Sequence, residues 1–203
     1  MSSREDILEV PLFPLHTVLF PDGPLALRIF EPRYLDMVSE CLRNEQPFGV
    51  CLIQSGQEAG RAAQPHLTGT FAGIVDWQRG DDGLLAISAR GGQRFHVMDT
   101  RVERDQLLRG SVQPLSPEPS VALPAENRYM TEVLDQLFAH AGNIYGELPK
   151  RPDDASWVGY RLAEVLSLPM VRRQYFLELE DPLLRLAQLD EILRAMSETA
   201  EEE

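Results

Sequence analysis

The chain has 203 residues, 43% of them hydrophobic, and its 19 basic against 32 acidic side chains give a formal charge of -13. That length suffices for one core or two adjoining ones, while the negative field opposes nucleic-acid phosphates and anionic lipids. Every apolar stretch is interrupted well short of eighteen residues, and acidic residues in SSREDILEV precede any apolar block, so neither a membrane span nor an export signal is expected and cytoplasmic residence is the default.

The first apolar run, Leu12 to Phe20, is broken by Pro11, Pro14 and Pro21. Prolines donate nothing to a ladder, so the reading is a short strand with its prolines at an end, an edge or a bulge. Asp22-Gly23 marks a turn, and residues 24–30 (PLALRIF) make a second strand. Glu31-Pro32 then opens a helix, because proline at the first position needs no amide partner. Tyr34, Leu35, Met37, Val38, Cys41 and Leu42 recur at helical spacing, with Arg33, Asp36, Glu40 and Arg43 assigned to the wetter side.

Asn44 to Pro47 reads as a turn and residues 48–53 (FGVCLI) as a strand. Residues 55–68 (SGQEAGRAAQPHLT) read as a long polar surface loop, the kind of segment that displays binding residues. Gly69 to Trp77 form a strand, RGDDG a hairpin turn, and Leu84 to Ala89 the return strand. Arg90-Gly91-Gly92 is assigned to a turn, Gln93 to Met98 to a further strand, and Arg101 to Val112 to an extension of the last ribbon, interrupted at Arg104, Asp105 and Gln106. Six or seven strands joined by short turns point to an antiparallel barrel.

Four prolines within residues 114–124 (PLSPEPSVALP) make a stiff connector. Beyond it the period becomes helical. Tyr129, Val133, Leu134, Leu137 and Phe138 lie on a first helix, followed by a glycine- and proline-containing loop from His140 to Pro152. A second begins near Asp153 with Trp157, Tyr160, Leu162, Ala163 and Leu166, and a third, after Leu168-Pro169, carries Met170, Val171, Tyr175, Phe176 and Leu179. The fourth starts at Asp181-Pro182 with Asp181 as its cap and Leu183, Leu186, Leu189, Ile192 and Leu193 inward, and its SETAEEE tail is expected to fray. The resulting division is a barrel over residues 10–113, a connector over 114–124 and a helical subdomain over 125–198. Residues 125–203 carry 16 acidic and 8 basic side chains.

PLFPL, VLFPDGPLALRIFEPRYLDMV, GTFAGIVDW, DDGLLAISARGGQRF and YRLAEVLSLPMVRRQYFLE resemble, in that order, the small stand-alone proteins similar to the amino-terminal, substrate-binding domain of Lon protease. The resemblance implies an α+β fold: a PUA-like antiparallel pseudo-barrel with a helix after the second strand, followed by helices. It also implies protein or peptide clients, and association with proteolytic machinery, as partners. Complete Lon proteases carry an ATPase motor and a serine-lysine proteolytic module, neither of which is found in these 203 residues.

The residues themselves offer little to catalysis. No phosphate-cradling glycine loop with lysine and serine or threonine occurs, nor HExxH, nor GxSxG. Lys150 is the single lysine and lies in LPKRP. His16, His66, His96 and His140 are scattered, and Cys41 and Cys51 read as buried reduced thiols. No cofactor and no metal site is expected. The preferred function is noncatalytic recognition of a protein or peptide, including exposed apolar segments of unfolded or damaged clients. A nucleic-acid-binding PUA-like module and a small-molecule enzyme stand as alternatives, the first opposed by the charge. Candidate binding or site-supporting residues are Phe30, Glu31, Arg33, Tyr34, Phe48, Phe71, Trp77 and Arg94. Glu31 and Arg94 are expected to clamp the barrel if the strand and helix ends converge.

Overall fold

The computed structural model describes residues 7–80, 82–140, 143–146 and 148–201. Two compact units emerge, one running through Pro117 and the other from Glu118.

The first unit is a six-stranded sheet: β1 (Leu8–Leu15), β2 (Pro24–Ile29), β3 (Phe48–Ser55), β4 (Gln64–Arg79), β5 (Leu85–Val102) and β6 (Leu108–Pro114), with helix α1 (Pro32–Asn44) after β2. The order is β2-β5-β4-β3-β1-β6, and a further β5–β6 pairing closes five of the strands into a barrel. One pairing departs from the antiparallel expectation: β1 and β3 run parallel, Leu12 to Leu15 against Gly49 to Leu52. The chain reaches β3 through β2 and α1, a crossover that a parallel neighbour requires.

β1 is longer than its prolines suggested, and its register shows how it accommodates them. Pairing with β6 ends at Leu12, and pairing with β3 begins there. Pro11 therefore faces a ladder on one side only, and so does Pro14, so each has the surroundings of an edge residue.

The glycine pair does not turn the chain. β5 continues for 18 residues through Arg90-Gly91-Gly92, pairing its first part with β2 and its last with β6. A register shift opposite Thr70 and Ala72 makes the pair part of a bulge, which bends a long strand around a barrel. A side chain on Gly91 would collide with the carbonyl of Phe20. The polar loop is likewise shorter than expected: β4 starts at Gln64, and Pro65 pairs with Ile53 in an irregular stretch. At the RGDDG turn the Gly80 amide reaches the Leu84 carbonyl, while Asp81 lies outside the described residues.

Two apolar clusters follow from strand alternation. Phe13, Leu15, Phe48, Val50, Ile87 and Ala89 lie against Tyr34, Met37, Val38 and Cys41 of α1. Leu12, Cys51, Phe71, Phe95, Val97 and Val112 form the second. Both cysteines are free, and burial pushes their thiols up to about 11 and 12.

The second unit holds α2 (Tyr129–His140), α3 (Ala155–Val165), α4 (Met170–Glu178) and α5 (Pro182–Glu201), with short 3-10 turns at Ala125–Asn127 and Asn143–Tyr145. Part of the expected loop from His140 to Pro152, residues 141, 142 and 147, lies outside the described residues. Asp154 caps α3 by accepting from the Ser156 and Trp157 amides, at 2.9 and 3.2 Å. Asp181 caps α5 through the Leu183 and Leu184 amides, at 2.9 and 3.2 Å. The inward stripe of α5 is Pro182, Arg185, Leu186, Leu189 and Leu193, which leaves Leu183, expected inward, 44% exposed. The tail stays helical through Glu201, in keeping with the helix propensity of its Ala and Glu residues, while residues 202 and 203 lie outside the described set. No helix among the described residues is long and apolar enough to cross a membrane.

Candidate functional site

β2 ends on a buried Ile29, and the next residue, Phe30, stands 61% exposed. Glu31 keeps the chain extended at φ -83° and ψ 133°, and Pro32 starts α1. Arg33 and Tyr34 then enter the first helical turn, both buried. Arg33, assigned from periodicity to the wetter side, is the main correction here. Its charge is met inside: a Glu31 carboxylate oxygen at 3.0 Å, the Gln106 carbonyl at 2.8 Å and the Glu58 carbonyl at 3.2 Å. The guanidinium also sits 4.6 Å from the centre of the Tyr34 ring, a cation over a π face.

Three chain segments are thereby tied together. Glu31 accepts from the Gly60 amide at 3.3 Å, and Glu58 accepts from the His16 amide at 2.5 Å. Residues 56–63 are thus held to the start of α1 and the end of β1 by charge-assisted bonds, stronger than neutral ones. Tyr34 stacks on Phe13 with ring centres 3.8 Å apart. Burial pushes its phenol up to about 12, with Arg33 opposing and Glu31 and Glu58 adding to the rise, so it is neutral at ordinary pH.

Beside this assembly lies a cavity of about 70 Å³ lined by Phe13, Leu15, Leu27, Arg28, Ile29, Phe30, Glu31, Tyr34 and Glu58. Small-molecule sites generally measure about 300 to 1,000 Å³, and one water occupies about 30 Å³. The cavity therefore has room for the end of one aliphatic side chain, not for a cofactor. It lies beside the edge of the sheet, since among the described residues β2 pairs with β5 alone, and β1 has left β6 after Leu12. A wider depression of about 320 Å³ lies elsewhere on the same unit, lined by Cys41, Leu42, Glu45, Gln46, Pro47, Gly73 and Ile74. The described residues contain no group of three or more His, Cys, Asp or Glu placed to hold a metal ion.

Of the eight sequence-nominated residues, the structure brings Phe30, Glu31, Arg33 and Tyr34 together. Phe48 is fully buried in the cluster under α1, with its ring 6.2 Å from that of Phe13, and Phe71 is buried against Phe95 at 4.7 Å. Trp77 pairs with Ile87 on the β4–β5 ribbon, is 56% exposed, and does not line the cleft. Arg94 is buried on β5 opposite Thr70, and its carbonyl accepts from the Leu115 amide. Glu31, expected to clamp the barrel with Arg94, meets Arg33 at 3.0 Å across the helix entry that the two share. Phe13, Leu15, Leu27, Arg28 and Glu58 complete the lining and were not among the sequence candidates. Glu58 had one signal, its place in a polar loop suited to display.

The family model for the ATP-dependent protease La (LON) substrate-binding domain matches residues 9–195. Among solved structures, a Lon N-terminal domain protein from Xanthomonas campestris is 39% identical, with a TM-score of 0.75 over 90% of this chain and 97% of that one. The N-terminal domain of the Mycobacterium avium complex Lon protease shares the fold at 16% identity, with a TM-score of 0.62 over 90% and 96% of the two chains. A Lon protease from Phenylobacterium zucineum is 27% identical over 95% of this chain and 26% of its own length; Lon protease 2 from Myxococcus xanthus is 24% identical over 97% and 25%. The chain thus spans about a quarter or less of the curated relatives it matches.

Proposed function

The chain belongs to the Lon substrate-binding domain family, and from that premise we propose that it recognises protein or peptide segments noncatalytically, at the cleft between β2 and α1. One observation carries the reading: Phe30, 61% exposed, lines a small cavity together with the stacked rings of Phe13 and Tyr34. An exposed aromatic next to a pocket that fits one side chain suits an apolar residue of a segment that a folded protein would hide. The clients are unfolded or damaged cytoplasmic proteins, and delivery to proteolytic machinery is the process that the relatives suggest. Nucleic acid is disfavoured by a formal charge of -13.

Fluorescence titration with a chemically unfolded, thiol-blocked polypeptide tests the reading. The protein should bind it, Phe30→Ser should bind it weakly with an unchanged urea melt, and mass spectrometry should find no new peptide ends with or without ATP. Equal binding by Phe30→Ser removes the cleft from the proposal, and cuts that track the purified protein remove the word noncatalytic.

A further inference from the structure

We propose that the cleft takes its client as an extended strand added along the outer edge of β2, and that it prefers an apolar anchor flanked by Arg or Lys. This rests on the recognition reading and specifies its mode and substrate class. β2 is the terminal strand of the sheet order, bonded to β5 on one side and to no strand on the other among the described residues. An unpaired strand edge offers alternating amides and carbonyls to a peptide backbone, while side-chain pockets along it supply selectivity. The cavity is lined by consecutive β2 residues, Leu27 to Ile29, and by Phe30, which places it beside the strand that a peptide on that edge would pair with. Its volume of about 70 Å³ admits one aliphatic side-chain end, which makes a single anchor position the natural unit of recognition.

The charges around the opening point to the flanking residues. Three carboxylates, Glu31, Glu58 and Asp82, stand near two guanidinium groups. Asp82 is occupied by Arg28, an exposed pair at the surface. The Arg33 side chain is 4% exposed, with its guanidinium on Glu31, so little of its positive charge is presented to an incoming peptide. Glu58 is exposed, and among the described residues its carboxylate accepts from the His16 amide. Among the residues that line the cavity two carboxylates, Glu31 and Glu58, stand against one guanidinium, Arg28, which Asp82 pairs, within a chain of formal charge -13. Complementary charge raises the on-rate and discriminates against acidic partners.

The experiment uses the full chain and short peptides with a central Leu flanked by Arg, by Gln or by Glu, titrated by fluorescence anisotropy. The Arg-flanked peptide should bind about fivefold tighter than the Gln-flanked one, the contribution of an exposed ion pair, and the Glu-flanked peptide weakest. Added salt should compress the series, and Glu58→Gln should reduce the Arg advantage while leaving the urea melt in place. Peptides N-methylated at every second amide test the strand: methylation in one register should abolish binding, and the register shifted by one residue should retain it. Equal affinity across the three flanks overturns the charge preference and leaves recognition standing. Full binding by both methylated registers overturns strand addition. Failure of every peptide, together with failure of the unfolded polypeptide, removes the recognition reading itself.

Discussion

Arg33 in the barrel unit and Arg185 in the helical unit are both buried guanidinium groups facing a carboxylate, yet they serve opposite ends. Arg185 is fully enclosed. Its fork meets both oxygens of Glu118, one at 3.0 Å; Nε donates to the Phe176 carbonyl at 3.1 Å, and a terminal nitrogen donates to the Leu179 carbonyl. It also lies 3.9 Å from the centre of the Tyr160 ring, whose hydroxyl donates to the same Glu118. The Glu118 side chain is 6% exposed, so the pair has little contact with water. Around Arg33 the carboxylate keeps 19% exposure, a cavity opens alongside, and Nε has no hydrogen-bond partner among the described residues. A closed ion pair locks helices; an ion pair at a rim shapes a mouth.

The sharpest way to break that contrast is Arg185→Met. It leaves the Glu118 carboxylate buried without its fork and the two carbonyls without a donor. Removing one partner of a buried pair costs about 3 to 5 kcal/mol, and the loss should appear in urea melts of the full chain followed by helical circular dichroism. Replacing Glu118 by Gln in the same chain should recover part of it, since no charge is then stranded. A change below about 1 kcal/mol would place this arginine among the surface pairs.

A second buried pair in the helical unit behaves differently again. Glu164 on α3 lies 3.3 Å from Arg161, with Arg173 of α4 and Tyr145 also acting on the site. Burial nevertheless dominates and pushes its carboxyl from 4.5 up to about 7. The folded carboxyl thus holds its proton more tightly than the unfolded one, and folding takes up a proton between those two values. This contribution is fully present below pH 4.5 and is lost as pH rises through 7, by on the order of 3 kcal/mol. Glu164→Gln should flatten that part of the stability–pH curve and be the more stable form at pH 8. A wild-type curve that rises from pH 5 to 8, with no difference from the variant, would contradict this assignment.

What the sequence revealed, and what it hid, divides along the same line. Local chemistry was legible: Pro32 and Pro182 at helix starts, Asp181 as a cap, the turn after α1 and the extended run of β2 all depend on neighbours within a few residues. The arginines were not. Arg33 falls beside Asp36 in a wet-looking stripe, and Arg185 interrupts PLLRLAQL at a position where charge normally marks the outside. Their carbonyl and carboxylate partners lie as far as 73 and 67 residues away, and no periodicity announces them. Gly91-Gly92 failed for another reason, because a turn and a bulge ask for the same small residues and only the pairing of β5 on both sides decides. The candidate site was half legible. Its β2–α1 half is contiguous in IFEPRY, whereas Phe13 and Leu15 come from β1 and Glu58 from the segment between β3 and β4.

The smallest effect is expected at Arg33, and it is the most informative. Arg33→Lys keeps the charge beside Glu31 but cannot reach the Gln106 and Glu58 carbonyls at once, because an ammonium lacks the planar fork. Losing one or two such bonds should cost about 1 to 2 kcal/mol in global stability. The local consequence should be larger than that figure suggests. Residues 56–63 would lose one of their ties to α1, so the Gly60 amide, which donates to Glu31, should exchange with deuterium faster, while amides of the β4–β5 ribbon stay protected. Peptide affinity should fall with the loosened rim. If the lysine variant instead melts as early as Arg185→Met, Arg33 is also a lock, and the cleft beside it is a packing defect in a rigid wall. If neither exchange nor affinity changes, the loop is held by other means, and the carboxylates at the opening act independently of the guanidinium behind them.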